Sequence, residues 1–400
     1  MKRIFVLFIF FMSMTAENIY AFDPGKTDIH GFISQGFMIS DRNNYYADTE
    51  DGTFEFNETG INFSNQLNDR LRIGMQFFSR DLGDIGNNEI NVDWAVADYR
   101  WKDWLGLRTG RIKNRYGFYC YTRDIDMLRT GVFLPQSVYF DSLRELTNSL
   151  DGVGIYGYVP VGDSDSIDYQ INYGKQIIDT KGGVDDFIEN HIPVDITEFE
   201  SQELLLINLE WNTRVKGLRL GGTMAFSSFE ADALTTSNPI LMAYGIPPNI
   251  NVSFDANNAK VTVLSAQYVW NDLVLDAEYF GFKADAVIAG SINQKIDGEG
   301  YYAGISYRFT EWSEAGAYYS EAYFDKSDKD GKNYEMIGKP SFLAWQKEFV
   351  LSTRFDIGEN WTLKAEGHFI NGAEMMFLED NPDGLDESSF MFAVKTTFSF

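Results

Sequence analysis

The chain has 400 residues, with 33 Lys and Arg against 59 Asp and Glu, a formal net charge of −26 and one cysteine. A protein that neutralises phosphates needs a net basic face, so this balance excludes nucleic acid as a partner. The single Cys120 excludes an internal disulfide, and no linker, repeat or low-complexity segment divides a sequence that is 16% aromatic.

At the N-terminus, Lys2 and Arg3 precede nine apolar residues, 4 to 12, and a polar stretch that reaches Ala21. This is the pattern of a secretory signal peptide over residues 1–21, with cleavage expected after Ala21 and Ala16 as the alternative. Residues 22–400 then form one mature domain. No run of 18 or more apolar residues follows, which excludes an ordinary transmembrane helix. Export without such a helix leaves periplasm, medium or outer membrane.

Period-two alternation marks the elements that follow. In chain order it predicts strands over 29–39, 54–67, 71–80, 90–101, 105–113, 151–159, 167–175, 203–211, 218–226, 259–270, 273–282, 301–309, 314–324, 344–357, 361–369 and the C-terminal run "FMFAVKTTFSF". In each of the clearest, one parity is apolar. Leu71, Ile73, Met75 and Phe77 oppose Arg72, Gln76 and Arg80; Ile167, Tyr169, Ile171 and Tyr173 oppose Asp168, Gln170 and Asn172. In the last strand Phe400, Phe398, Val394, Phe392 and Phe390 share a face while Lys395 stands at the middle of the other. A soluble strand rarely carries so many rings on one face opposite a central lysine. A membrane barrel does, because its outer face meets lipid and its inner face meets water.

The connections alternate as well. Short turns near 68–70, 102–103, 160–166, 212–217, 271–272, 310–313 and 358–360 separate long polar loops over 40–53, 81–89, 114–150, 176–202, 228–258, 284–299, 325–343 and 371–388. Short turns on the periplasmic side and long loops outside are the pattern of outer-membrane barrels. Tryptophan prefers the membrane interface, and six of the eight, Trp101, Trp104, Trp211, Trp270, Trp312 and Trp361, lie in or beside the short turns; Trp94 and Trp345 do not. The fold class expected is therefore all-β: a 16-stranded antiparallel transmembrane β-barrel. About 16 to 18 strands leave room for an aqueous channel.

The third long loop, 114–150, is too aromatic for a solvated surface, and burial of Phe118, Tyr119, Tyr121, Phe133 and Tyr139 inside the barrel would explain it. Residues 100–144 also hold nine Lys or Arg and four Asp, a local +5 in an acidic chain. Two roles are open for these arginines. They pair with lumen carboxylates such as Asp168, Glu210, Asp276 and Glu348 and pin the loop, or unpaired guanidinium groups attract anions at a constriction. The expected constriction residues are Arg108, Arg111, Lys113, Arg115, Arg123, Arg129, Tyr119, Tyr121 and Tyr139, and the expected lumen wall includes Arg72, Asp168, Arg219, Glu278, Arg308 and Lys364.

The stretch "LGLRTGRIKNRYGFY", with Gly110, Arg111, Lys113 and Gly117, resembles the segment of phosphate-selective O/P-type porins that delivers a strand into the constriction loop. The terminal Phe likewise resembles the C-terminal signature of Gram-negative outer-membrane barrels. The resemblance to porins implies a long third loop folded into the lumen, a homotrimer, and passive passage of small hydrophilic solutes. A weak preference for anions is expected from the basic segment. A channel specific for organic acids or sugars, with Tyr119, Tyr121 and Tyr139 as a stacking path, is the alternative. Lipid and lipopolysaccharide are the expected surroundings, in a leaflet where divalent cations can bridge the acidic surface.

An outer-membrane hydrolase would need a nucleophile or base. The three histidines, His30, His191 and His368, are scattered, and a Ser or Asp neighbour of His368 would be the sign of one. No Ser/His triad, zinc spacing or phosphate-binding loop is present, so no enzyme, metal or cofactor is expected. The final acidic loop, with Glu374, Glu379, Asp380, Asp383, Asp386 and Glu387, matches no calcium motif and is expected to be solvated or cation-bridged.

Overall fold

The computed structural model describes residues 26–400 except 177, 179–182, 201–202, 238–240, 243–244 and 291. The expected signal peptide and its cleavage site lie outside the described residues. One antiparallel sheet contains β1 (Thr27–Ser40), β2 (Phe56–Gln66), β3 (Leu71–Leu82), β4 (Ile90–Lys102), β5 (Leu105–Lys113), β6 (Ser149–Val161), β7 (Asp165–Lys175), β8 (Val194–Glu200), β9 (Glu203–Asn212), β10 (Leu218–Thr235), β11 (Asn251–Trp270), β12 (Leu273–Ile288), β13 (Ile292–Thr310), β14 (Ser313–Tyr323), β15 (Gln346–Asp356), β16 (Trp361–Gly372) and β17 (Ser388–Ser399). Both β8 and β9 pair with β10, so they are two segments of one barrel strand. Sixteen strands result. β1 pairs with β2 on one side and β17 on the other, which closes the barrel and leaves no open edge.

Parity holds as the alternation predicts. Ile33, Val153, Leu209, Leu264, Ile305, Phe349, Phe369, Phe392 and Phe398 are exposed and form the apolar outer band, while Lys395 on the opposite parity is buried inside. All six turn-side tryptophans are exposed at that rim. The last residue completes the seam: the Phe400 N–H donates to the Gly31 carbonyl and the Gly31 N–H to the Phe400 carbonyl, each at 2.9 Å. Glycine is required at 31, because a Cβ there would strike the Phe400 ring. Among the described residues no helix is long and apolar enough to cross a membrane; the crossing is made by strands.

Three of the expected loops differ from expectation, the first because β8 (Val194–Glu200) is strand within 176–202. β10 continues to Thr235, and β12 and β13 meet near residue 290, so most of 228–258 and 284–299 is strand. A bilayer needs about 9–11 residues per strand, and β10 to β13 run for 16 to 20. Their surplus length stands beyond the membrane and buries Ala231, Ala233, Phe254, Ala256, Ala284 and Ala286 against the helix Val184–His191. Alanine is small, so its alternation with Glu230, Asp232 and Asp285 gives a weak hydrophobic signal in the sequence. The last long loop is also only half solvated. Met375, Met376 and Phe377 turn inward onto Tyr45, Tyr46 and Phe140, and Glu374 is buried 3.5 Å from His191.

Substitutions on β7 test the two faces. Ile171→Arg, near the middle of the strand on its outward parity, is expected to cost about 2–4 kcal/mol. Asn172 points inward but is buried, its Nδ2 donating to Asn114 Oδ1 at 3.0 Å. The water-facing reading of Asn172, which would tolerate arginine, is thereby corrected. Unfolding in lipid that shows Ile171→Arg at wild-type stability would overturn the outward assignment.

Candidate functional site

Two glycines shape the chain around the end of β5, Gly110 within the strand and Gly117 four residues beyond it. Gly110 has φ +115° and Gly117 φ +56°, conformations that glycine adopts without penalty. At Gly117 a side chain would also collide with the Tyr139 hydroxyl and the Glu278 carboxylate. Beyond it the chain forms short helical turns and binds wall after wall. The Phe118 N–H and the Tyr139 hydroxyl donate to Glu278 on β12, the former at 2.9 Å. Ser137 Oγ donates to the Tyr301 carbonyl on β13 at 3.1 Å, and the Thr130 hydroxyl donates to Glu314 on β14. The Val132 and Phe133 N–H groups donate to Glu366 on β16 at 2.8 and 3.2 Å. Gln76 on β3 reaches Asp124 at 3.3 Å. A segment bonded to strands on opposite sides of a closed barrel runs across its interior.

Two buried ion clusters hold this segment. Asp124 accepts Lys113 and, at 3.2 Å, Arg144, which also binds Asp93 at 2.6 Å. Asp126 lies 3.5 Å from Lys364 on β16 and 3.0 Å from Lys395 on β17, and accepts Arg129 at 2.7 Å and the Thr397 hydroxyl at 2.6 Å. Burial pushes both aspartates up. The cations outweigh it, Lys113 and Arg144 for Asp124, Lys395 and Lys364 for Asp126, and both stay well below the usual carboxylate range. Arg123 closes on Asp141 at 2.7 Å, which Arg80 approaches at 3.7 Å.

Pinning therefore occurs, but with much of its polarity reversed: carboxylates of the loop are gripped by cations of the wall. Among the expected anchors only Glu210 receives a loop arginine, Arg115 at 3.6 Å. Asp276 accepts Tyr119 at 3.2 Å and Tyr302 at 2.9 Å. Asp168 accepts Asn212 at 3.0 Å, and Glu348 faces His368. Lys113, Arg123 and Arg129 are committed to the ion pairs described. Arg111 is placed elsewhere: it shares the outward parity of Leu107 and Thr109 and binds Asp151 at 2.9 Å, so it is not a constriction residue. Tyr139 is buried, and it and Tyr119 are tied by their hydroxyls to carboxylates, so they do not form a free stacking path.

The remaining predicted residues gather at the short-turn half of the lumen. Arg108 binds Asp98 at 2.9 Å with its guanidinium 4.0 Å from the Tyr156 ring centre. Arg115 lies 5.4 Å from the Tyr121 ring. Arg72 stands 4.0 Å from Asp98, and Arg219 binds Glu210 at 3.4 Å over the Phe118 ring. Arg308 binds Glu314 at 3.0 Å. Two cavities flank the segment here. One of about 340 Å³ touches Arg100, Arg108, Arg115, Asp103 and Asp168; the other, about 430 Å³, touches Arg129, Arg308, Arg354, Asp272, Asp276 and Glu314. At the long-loop mouth a third, about 380 Å³, is lined by Asp84, Asp186, Glu189, Asp195, Glu379 and Asp380. Between mouth and flanks stand Phe56, Val132, Phe133, Phe140 and Met376, an apolar cluster inside the barrel. Strand number provides room for a wide lumen; the inward loops occupy much of it.

His368 is buried with both ring nitrogens on carboxylates, Nδ1 at 3.1 Å from Glu348 and Nε2 at 2.8 Å from Glu366. Among the described residues neither nitrogen faces a hydroxyl. The residues that sequence reasoning missed are Asp93, Asp124, Asp126, Asp141, Glu366 and Lys395 as anchors, and Arg100 and Tyr156 as cavity lining. The inward parity of Lys395 was the one available signal.

No family model matches the chain, and no curated protein does. Solved structures do match in fold. Outer-membrane expressed OmpT of Vibrio cholerae aligns at TM-score 0.58 and 12% identity over 96% of this chain and 100% of its own; the same protein has also been solved in a trimer form. The outer membrane channel DcaP of Acinetobacter baumannii aligns at 0.57 and 9% identity, over 96% of this chain and 100% of its own. The anion-selective porin from Comamonas acidovorans aligns at 0.54 and 11%, over 94% and 99%. The architecture is that of outer-membrane barrel channels, shared without appreciable sequence identity.

Proposed function

We propose that this protein is an outer-membrane porin, a non-enzymatic channel for passive diffusion of small hydrophilic solutes, with a weak preference for anions and a homotrimeric assembly. The observation that carries this function is a closed sixteen-strand barrel crossed by an inward segment, with polar cavities on both flanks of it. The fold shared with solved porins and channels, one of them in trimer form, supports the same conclusion. The O/P-type resemblance stays a proposal about ancestry; the dense lysine and arginine ladder that phosphate selectivity would need is not read in the sequence.

Charge at the narrow section governs permeation, because low-dielectric walls focus the field there. The acidic mouth is wet and screened within about 8 Å at physiological salt, whereas Arg100, Arg108 and Arg115 line the inner cavity. Reversal potentials across a salt gradient in a planar bilayer are expected to show weak anion preference at pH 7. The mouth adds a pH dependence. Burial, with neighbouring carboxylates, raises Asp185 and Asp380 to about 6, and burial raises Glu189 to about 7. Each is raised above its unfolded value, so its ionised form opposes loop packing. Packing is expected to gain stability as pH falls through about 7 to 5, and the anion preference to rise as the mouth loses negative charge. A cation-selective wild-type channel at both pH 8 and pH 5 would refute the selectivity assigned.

A further inference from the structure

The cavity of about 340 Å³ at the short-turn end has a composition unlike the rest of this acidic chain. Three guanidinium groups, Arg100, Arg108 and Arg115, face two carboxylates, Asp103 and Asp168. The second carboxylate is already engaged by Asn212. Arg108 is oriented by Asp98 behind it and by the face of Tyr156, with which Arg100 also interacts. Among the described residues Arg115 has one long ion contact, to Glu210 at 3.6 Å, beside the Tyr121 ring at 5.4 Å, and keeps most of its donors for another partner. Tyr158, on the same inward parity of β6 as Tyr156, presents a half-exposed ring to the same space. Guanidinium forks bind a carboxylate through paired charge-assisted hydrogen bonds, and flat rings pack against tyrosine and arginine faces. The volume sits near the lower end of the range of about 300–1,000 Å³ found for small-molecule pockets. That fits one ring with one acid group better than an oligosaccharide.

From this juxtaposition we infer that the cleft is a binding subsite for small aromatic carboxylates, occupied on the way through the lumen. It rests on the channel function proposed above. The second flank, with Arg129, Arg308 and Arg354 balanced by Asp272, Asp276 and Glu314, lacks the surplus of positive charge.

Equilibrium dialysis of benzoate against the folded protein in detergent, paired with salt conductance and benzoate block in planar bilayers, tests it. Wild-type protein is expected to bind benzoate saturably and to be blocked by it, whereas benzamide, of the same shape and neutral, does neither. The Arg100→Gln/Arg115→Gln double variant, checked for folding by its heat-modifiable migration, is expected to weaken binding and block by about ten-fold or more, since each fork loses charge-assisted bonds. Arg308→Gln, on the other flank, should bind benzoate as the wild type does. Absence of saturable benzoate binding, equal binding of benzamide, or equal loss in Arg308→Gln overturns the subsite. Failure to conduct salt at all overturns the channel function instead, and the dialysis result then decides the subsite by itself.

Discussion

Asp126→Asn is expected to release the inward segment and raise single-channel conductance. The substitution keeps the shape and removes the charge that faces two lysines. Lys364 and Lys395 are both almost completely buried; Lys395 retains Glu58, while Lys364 keeps, among the described residues, only the Gly131 carbonyl at 2.9 Å. Removing one partner of a buried ion pair costs about 3–5 kcal/mol, because the remaining charge is left in a poor solvent. That is enough to free the stretch around Arg123 and Arg129 from the β16 and β17 wall. Arg123 is buried in the native protein, so limited trypsin digestion of the folded barrel reads release directly: the variant should be cut in this segment and the wild type resist. Since the aspartate is held well below the usual carboxylate range, its contribution is present at neutral pH and lost only as pH falls through that depressed value. Wild-type docking should therefore persist down to about pH 4, the ordinary carboxylate region. Unchanged conductance together with trypsin resistance in Asp126→Asn would show that other contacts hold the loop.

On β12, Glu278→Leu should loosen the other arm. Glu278 has no cation beside it in the ion pairs described; it is a buried hub that accepts the Phe118 N–H, the Ser265 and Tyr139 hydroxyls, and the Tyr302 hydroxyl at 2.9 Å. Leucine fills similar space and accepts nothing. A buried donor left unpaired costs about 1–3 kcal/mol, so loss of this hub is expected to cost roughly 4 kcal/mol even if half the donors find new partners. Glu278→Gln, which keeps one acceptor oxygen, should lie between. Because Glu278 and Asp126 grip different arms of one segment, the two substitutions combined should cost more than either and open the lumen further, read as conductance and as loss of heat-modifiable folded protein. Wild-type thermal stability in Glu278→Leu would mean that the segment is not anchored on β12.

His368 illustrates why some of the interior could be anticipated only in outline. The sequence places a histidine on an inward parity of the fifteenth barrel strand. Its significance depends on Glu348, a strand away, Glu366, two residues earlier, and the loop N–H groups that Glu366 also accepts. Arg111 is the opposite lesson: a motif resemblance put it at the constriction, and its outward parity in β5, in register with Ala95 and Asp151, leaves it outside.

The sequence by itself determined the barrel. Strand number and sidedness follow from period two, closure from the need of a sheet in lipid to leave no open edge, and the rim of tryptophans from their preference for the interface. It also marked residues 114–150 as buried, since so many rings do not stay in water. Only the tertiary structure decided which charges remain free. Arg100, Arg115, Arg123 and Arg129 look alike in sequence, yet Arg123 and Arg129 are consumed by Asp141 and Asp126 while Arg100 and Arg115 border a cavity. Pairing inside a barrel is set by how the loop folds on itself and threads between the walls, and period two carries no record of a contact within the loop, such as Arg123 with Asp141, or of one to a distant strand, such as Asp126 with Lys395.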